Sequence, residues 1–125
     1  MALVIPFNGQ PYELTRASHP QHYDDLGLSL PTLQALVGGF IEHVGLPPDL
    51  RAALVEIEEG NVQLVMTQAP TAAPCYPHLI LNEEGKLQGL PVNAQMTLNC
   101  HALRAIDYDD FIVGVAVLLR EDEFK

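Results

Sequence analysis

Apolar and polar residues alternate most regularly near the middle of the chain, between Val55 and Met66. Val55 and Ile57 alternate with glutamates, Gly60-Asn61 supplies two turn-forming residues, and the period of two then resumes as far as Met66. A period of two places successive side chains on opposite faces of a β-strand. The pattern predicts a β-hairpin with one apolar face and one acidic or polar face.

Several other segments have the composition of short strands. In LVIPFNGQPYEL, two β-forming segments flank Asn8-Gly9, and the prolines on either side favour a short or edge hairpin. FIEHV and HLILN are each typical of one strand, and the apolar run FIVGVAVLL predicts a central strand that is buried on both faces. Residues 16–28 lack periodicity and residues 67–77 contain three prolines, so both segments are predicted to be loops.

Two segments carry signals for the start of a helix. Ser29 can cap a helix that continues through LPTLQALV and ends at Gly38, because a serine hydroxyl accepts a hydrogen bond from the first turn. Asn93 can cap a second helix, in which apolar residues recur every four positions. The segment PPDLRAAL favours a third, short helix. Together these elements predict an α+β fold with a mostly antiparallel sheet of five to seven short strands and two or three helices, in a single domain over residues 1–125.

The chain is strongly acidic. It carries 16 Asp and Glu residues against 6 Lys and Arg, which gives a formal net charge of −10, while 48% of its residues are hydrophobic. The hydrophobic content predicts a folded domain, and the scarcity of cations disfavours direct binding to nucleic acid, which depends on Lys and Arg against phosphates. The apolar runs are far shorter than the roughly 20 residues of a membrane-spanning helix, and the N-terminus lacks the basic residues of a secretory signal. We therefore expect a cytoplasmic protein, without a membrane partner, in which both cysteines are reduced.

A turn-rich segment, NEEGKLQGLPVN at residues 82–93, carries a lysine within these acidic surroundings. Asn82 to Gly85 predicts a turn, because asparagine hydrogen-bonds nearby backbone and glycine tolerates positive φ. Lys86 and Leu87 are predicted to begin a returning strand. Turn formation accounts for the asparagine and glycines of this segment, but it does not account for the lysine.

The same residues suggest a ligand site. A lysine ammonium next to backbone amides of a glycine-rich turn can bind an anion as a point charge. The predicted ligand-binding residues are Asn82, Lys86, Asn93 and, with less support, Arg104.

Three segments also resemble a known family. VGGFIEHV, NEEGKLQGLPVN and DDFIVGVAVLL, in that order, are similar to the signature segments of a small family of domains of unknown function found largely in phage and other mobile-element genomes. The resemblance covers about residues 33–44 and 79–119, whereas residues 45–76 are longer and more hairpin-like than in that family. The resemblance implies a phage or mobile-element accessory protein acting in the host cytoplasm, and it supplies no activity.

Metal and catalytic chemistry have weak signals. The candidate metal ligands fall into two groups with unsuitable spacing, so we predict no metal and no cofactor; these groups are His19, His22, Asp24 and Asp25, and Cys75, His78, Cys100 and His101. A catalytic elbow, P-loop, dinucleotide fingerprint and HExxH helix are all missing from the sequence. The sequence leaves open whether the protein is an enzyme, and the missing motifs favour a protein without catalytic activity.

Two hypotheses for the function follow. The first is a non-enzymatic phage or mobile-element accessory protein, a binding module that sequesters a small anionic, nucleotide-like ligand to modulate a host process. The alternative is an acidic protein-interaction module that mimics nucleic acid and blocks a basic host protein, and a homo-oligomer is compatible with either. The carboxylates that the alternative uses are Glu56, Glu58, Glu59, Asp107, Asp109 and Asp110.

Overall fold

In the residues that the structure describes, the protein has an α+β fold with a five-stranded antiparallel sheet, two separate two-stranded hairpins and two α-helices. The computed structural model describes residues 2–24, 27–47, 49–68 and 74–121. The elements, in chain order, are β1 (Ala2–Ile5), β2 (Tyr12–Leu14), a 3₁₀ turn (Pro20–His22), β3 (Tyr23–Asp24), β4 (Gly27–Leu28), α1 (Leu30–Val37), β5 (Ile41–Gly45), β6 (Arg51–Glu58), β7 (Asn61–Thr67), β8 (His78–Asn82), α2 (Ala94–Ala102) and β9 (Ala116–Leu119).

The main sheet has the strand order β2-β1-β9-β8-β5, with every neighbouring pair antiparallel. All four residues of β9 are buried at the centre of the sheet, which confirms the predicted central strand, but the strand covers only the last four residues of the predicted run FIVGVAVLL. The N-terminal hairpin is also confirmed, with β2 at one edge of the sheet and β5 at the other. Its connection is longer than the predicted Asn-Gly turn, because pairing stops at Val4 and Tyr12.

Each face of the sheet packs against one helix, so the described residues form two apolar cores. On one face, Val4, Ile80 and Val117 pack with Leu33 and Val37 of α1. The other face packs against α2 and the β6–β7 hairpin, through residues that include Leu3, Leu79, Leu118, Met96 and Leu64. The alternation of side chains along each strand feeds both cores, and burying one such side chain contributes about 1.5–3 kcal/mol.

Both predicted helix caps are present. The Ser29 hydroxyl accepts a hydrogen bond from the Thr32 amide at 3.3 Å, and Gly38 ends α1 in the left-handed conformation with a φ of 81°. The Asn93 side chain accepts from the Met96 amide at 3.1 Å and starts α2. Both helix predictions are therefore confirmed.

The predicted third helix is wrong. Pro48 lies outside the described residues, and from Arg51 onwards the segment is strand β6, paired with β7 from Arg51–Thr67 to Glu58–Asn61. The segment forms a strand despite its helix propensity, because strand pairing places Ala52 and Leu54 in the core opposite Met66 and Leu64.

The β6–β7 hairpin is confirmed, but its predicted faces are wrong. A bulge between Glu56 and Glu58 shifts the register, so Val55 pairs with Gln63 and Glu56 with Val62. One extra residue on a strand exchanges the faces of everything beyond it. As a result Val55 and Ile57 lie on the exposed face, at 39% and 56% exposure, and are separated from Leu64, which is buried in the core.

Two loop predictions also change in detail. Residues 16–28 contain a 3₁₀ turn and the small β3–β4 hairpin rather than only loop, although residues 25 and 26 lie outside the described part. Within the predicted loop 67–77, residues 69–73 are likewise outside it, and Cys75 makes a bridge with Arg51. The strand predicted at Lys86 and Leu87 is wrong, because residues 83–89 form consecutive turns closed by the Gln88 amide on the Glu84 carbonyl at 2.9 Å.

Candidate functional site

A cavity of about 490 Å³ opens where three parts of the chain meet, and we call it the acidic cavity. Its walls come from strands β5 and β8, from the turn segment that follows β8, and from the connection between α2 and β9. A volume of this size is within the range of small-molecule binding pockets. Charged and apolar residues both line the cavity. They include Glu42, Glu83, Lys86, Asp107 and Asp110, and also Val44, Leu79, Leu81, Leu87, Phe111 and Val113.

The turn that forms one wall is held by hydrogen bonds and by a tight contact. The Asn82 side chain accepts from the Glu84 amide at 2.8 Å, and the Gly85 amide donates to the Asn82 carbonyl at 3.2 Å, which confirms the predicted turn. A side chain at Gly85 would place its Cβ 2.9 Å from a methyl carbon of Val113. Glycine at this position lets the turn pack closely against the α2–β9 connection.

Lys86 reaches from the turn to the opposite wall of the cavity. Its ammonium donates a hydrogen bond to the Asp110 carboxylate and lies 4.6 Å from the centre of the Phe111 ring. The Lys86 hydrogen bond, followed by one from the Phe111 backbone amide, lowers the pKa of Asp110 below its usual value. The lysine charge is thus already directed at a carboxylate of the protein.

The charges around the cavity are unequal. Among the described residues that line it, four are acidic, Glu42, Glu83, Asp107 and Asp110, and one is a cation, Lys86. Its inner walls are apolar and include Leu79, Leu81 and Val113, all of them buried. The arrangement suits a ligand group that combines an apolar stem with a positive charge.

The structure brings together only some of the residues predicted from sequence. Asn82 and Lys86 line the acidic cavity. Asn82 is buried, however, and its amide also donates to the Val37 carbonyl at 3.1 Å, so it joins the turn to the end of α1. Arg104 has a positive φ of 56° and borders a neighbouring depression of about 420 Å³ with His101 and Tyr108.

Asn93 lies in the core rather than at the acidic cavity. Its side chain is 0% exposed, and its amide donates to the carbonyls of Ile5 at 2.8 Å and Gly114 at 2.9 Å. Its carbonyl oxygen caps α2. Since its two donors and its acceptor are all engaged inside the protein, we leave Asn93 out of the site.

Sequence reasoning did not place Glu42, Glu83 or Phe111 at the site. Glu42 arrives there because β5 lies beside β8, a long-range pairing that no local pattern reveals. Local signals existed for the other two: Glu83 lies within the predicted turn segment, and Phe111 directly follows Asp109-Asp110, where its backbone amide donates to the Asp110 carboxylate at 2.8 Å.

The histidines and cysteines are distributed differently from the candidate metal sets. His78 contacts His43, with their ring nitrogens 2.8 Å apart, and lies 3.7 Å from a Glu121 carboxylate oxygen. His19 and His22 stack on each other, and Asp25 lies outside the described residues. Burial raises the pKa of Cys100 to about 11, which keeps its thiol protonated at neutral pH. The part of the chain that the structure describes contains no group of three or more His, Cys, Asp or Glu residues that could hold a metal ion.

No helix within residues 2–24, 27–47, 49–68 and 74–121 has the length and apolar character needed to cross a membrane.

Known proteins provide no further guide to this site. The resemblance to a phage-associated family stays a prediction. Comparisons with protein-family models, curated proteins and solved structures find no match for this chain.

Proposed function

We propose that this protein is an acidic interaction module that binds a basic partner protein through the acidic cavity, the second of the two functions predicted from the sequence. A lysine or arginine side chain of the partner enters the cavity. Its aliphatic stem packs on the apolar walls and its charge meets the carboxylates at the rim. If the chain is phage-encoded, this binding would block a basic host protein.

The observation that carries the proposal is the charge imbalance at a cavity with apolar walls. Four acidic residues and one lysine are among the described residues that line it, and that lysine is paired with Asp110. Potentials of this sign attract and orient a cation, and an apolar floor favours an organic cation over a hydrated metal ion.

Two exposed apolar side chains extend the same surface. Leu87 lies at the cavity and is 89% exposed, and Phe40 is 68% exposed beside Asn82 and Gln88 in an adjoining depression. Exposed apolar surface bordered by polar residues is typical of sites that bind other proteins. These two residues favour a protein partner over a free amine.

A small anionic ligand fits the same geometry less well. It would have to draw Lys86 away from Asp110 and then lie among the remaining carboxylates. Two of the six carboxylates predicted for the acidic module, Asp107 and Asp110, line the cavity, whereas Glu56, Glu58 and Glu59 belong to the β6–β7 hairpin and its turn.

The variant Lys86→Met separates the two hypotheses by the sign of its effect. It keeps the length of the side chain and removes the charge, so Asp110 becomes available to a bound cation. We expect the affinity for a nine-residue peptide of alternating lysine and valine to rise about two- to fivefold, the size of an exposed ion pair. The matched control is Arg16→Met, which makes the same change in net charge on a residue that does not line the cavity. Affinities are measured by calorimetry at 50 and 200 mM salt.

Inorganic pyrophosphate serves as the anionic probe in the same experiment. Pyrophosphate binding that disappears in Lys86→Met, with weak peptide binding throughout, would restore the anionic-ligand hypothesis and overturn this proposal. Asp107→Asn should weaken peptide binding about two- to fivefold, whereas Asp109→Asn, two residues away and outside the cavity lining, should not. Equal effects of these two variants would indicate unspecific attraction to a negative surface.

A further inference from the structure

The edge strand β5 forms part of the acidic cavity and also ends the main sheet. Within the described residues, β5 pairs with β8 on one side, and no strand or isolated bridge pairs with its other side. An edge strand of this kind is a template for another chain.

The hydrogen bonds at the two ends of β5 show which of its backbone groups point outwards. The Phe40 carbonyl accepts from the Glu83 amide at 2.8 Å, and the Leu46 amide donates to the Pro77 carbonyl at 2.9 Å. Both pairs continue the register in which Glu42 opposes Leu81. Because hydrogen-bonded and non-hydrogen-bonded pairs alternate in an antiparallel ladder, the backbones of Glu42 and Val44 face β8. The N–H and C=O groups of Ile41 and Gly45 therefore point away from β8.

The side chains of β5 alternate in the same way across the sheet. Glu42 and Val44 line the acidic cavity, while Ile41 packs on the α1 side. A segment laid along β5 would consequently place every second side chain above the cavity, next to Glu42. Basic residues at those positions would complement the carboxylates there.

The other edge of the sheet is less suitable for an added strand. β2 has three residues and follows directly on Pro11, which has no amide hydrogen. β5 has five residues and contains no proline, and a Cβ at Gly45 would meet nothing within 4 Å. The longer edge is also the one that adjoins the cavity.

We infer that the partner binds as an additional β-strand on β5, through an extended segment in which basic residues alternate with apolar or small ones. Backbone hydrogen bonds to Ile41 and Gly45 hold the segment, and the acidic cavity selects its alternate side chains. This inference rests on the proposed function, to which it adds the conformation of the partner and the surface that receives it.

Amide hydrogen exchange of the full-length, ¹⁵N-labelled protein tests the inference. With the lysine-valine nonapeptide at about ten times its Kd, exchange at Ile41 and Gly45 should slow about tenfold, because these amides are open only in the unbound fraction. Glu42 and Val44 are the internal controls, since their amides already face β8 and should change little.

A pair of modified peptides tests the same contact from the ligand side. N-methylation of the fifth and sixth residues of the peptide, two adjacent positions near its centre, removes one donor facing β5 in either strand direction, and it should weaken binding about tenfold. The same two methyl groups at the two ends of the peptide should have little effect.

The outcomes separate the inference from the proposed function. Salt-sensitive peptide binding that leaves exchange at Ile41 and Gly45 unchanged, or that tolerates central N-methylation, overturns the added strand and leaves the acidic module standing. Failure of the unmodified peptide to bind at all overturns both.

Discussion

Asn93 shows how one residue type can predict two different roles. In the sequence it was both a helix cap and a candidate ligand donor, and its environment in the fold decides between them. The side chain holds α2, the end of β1 and the start of the segment leading into β9 through one acceptor and two donors. Lys86, in contrast, stays at the surface, where its half-exposed side chain is paired with Asp110.

Replacing Asn93 by alanine should strongly destabilise the protein. The change removes the cap of α2 and takes a donor from two buried carbonyls, at about 1 kcal/mol for the cap and 1–3 kcal/mol for the carbonyls. We expect the free energy of unfolding, measured by urea denaturation, to fall by about 2–4 kcal/mol. Asn8→Ala, at an exposed loop position, is the matched control and should change it by less than about 0.5 kcal/mol. A loss below about 1 kcal/mol in Asn93→Ala would contradict the buried network.

At the scale of elements, the β6–β7 hairpin shows which features the alternation of apolar and polar residues predicts and which it does not. Alternation predicted the two strands and their turn correctly, because a period of two is a local property. The bulge at Ile57 depends on how the hairpin packs against α2, where the Leu64 and Met66 amides donate to the side chains of Gln95 and Asn99. Contacts between residues about 30 positions apart leave no trace in a local pattern.

Two substitutions test the bulge. Ile57→Thr should change the free energy of unfolding by less than about 0.5 kcal/mol, because the side chain faces solvent and threonine keeps the β-branched shape. Leu64→Ala should cost about 2–5 kcal/mol, because it leaves a cavity in the core. If the hairpin had no bulge and kept the register of the Glu58–Asn61 pair, Ile57 would oppose Val62 on the inner face. A cost above about 1.5 kcal/mol for Ile57→Thr would therefore favour that unbulged register.

The other elements follow the same division. Caps at Ser29 and Asn93, the turn at Asn82 and the buried run of β9 were predictable because each depends on neighbouring residues. The pairing of β5 with β8 was not predictable, and it is this pairing that brings Glu42 to the cavity that Lys86 also lines. Glu83, Lys86, Asp107 and Asp110 therefore lie in segments that the sequence had singled out, whereas Glu42 and the convergence of all these residues on one cavity could not be predicted.

At the scale of the whole molecule, lowering the pH has two opposite effects on the stability of the fold, one through its net charge and one through the pair of His43 and His78. The chain carries a formal charge of −10 at pH 7, so protonating its carboxylates relieves repulsion in the folded state. Burial, and then the nearby His43, lowers the pKa of His78 below the ordinary 6.5, while Glu121 acts in the opposite direction. A histidine whose pKa is lower in the folded state binds more protons when unfolded. Its contribution to stability is therefore complete above pH 6.5 and is lost as the pH falls below that value.

The difference between the wild-type protein and His78→Gln isolates this contribution, because both chains share the same carboxylates. We expect the unfolding free energy of the wild type to fall relative to that of His78→Gln as the pH is lowered from 7 to 5, measured by urea denaturation at constant ionic strength. His43→Gln removes one of the two causes of the lowered pKa, so its pH dependence should lie between those of the wild type and His78→Gln. A difference that stays flat, or that grows in favour of the wild type at pH 5, would show that His78 is not held in its neutral form by the fold.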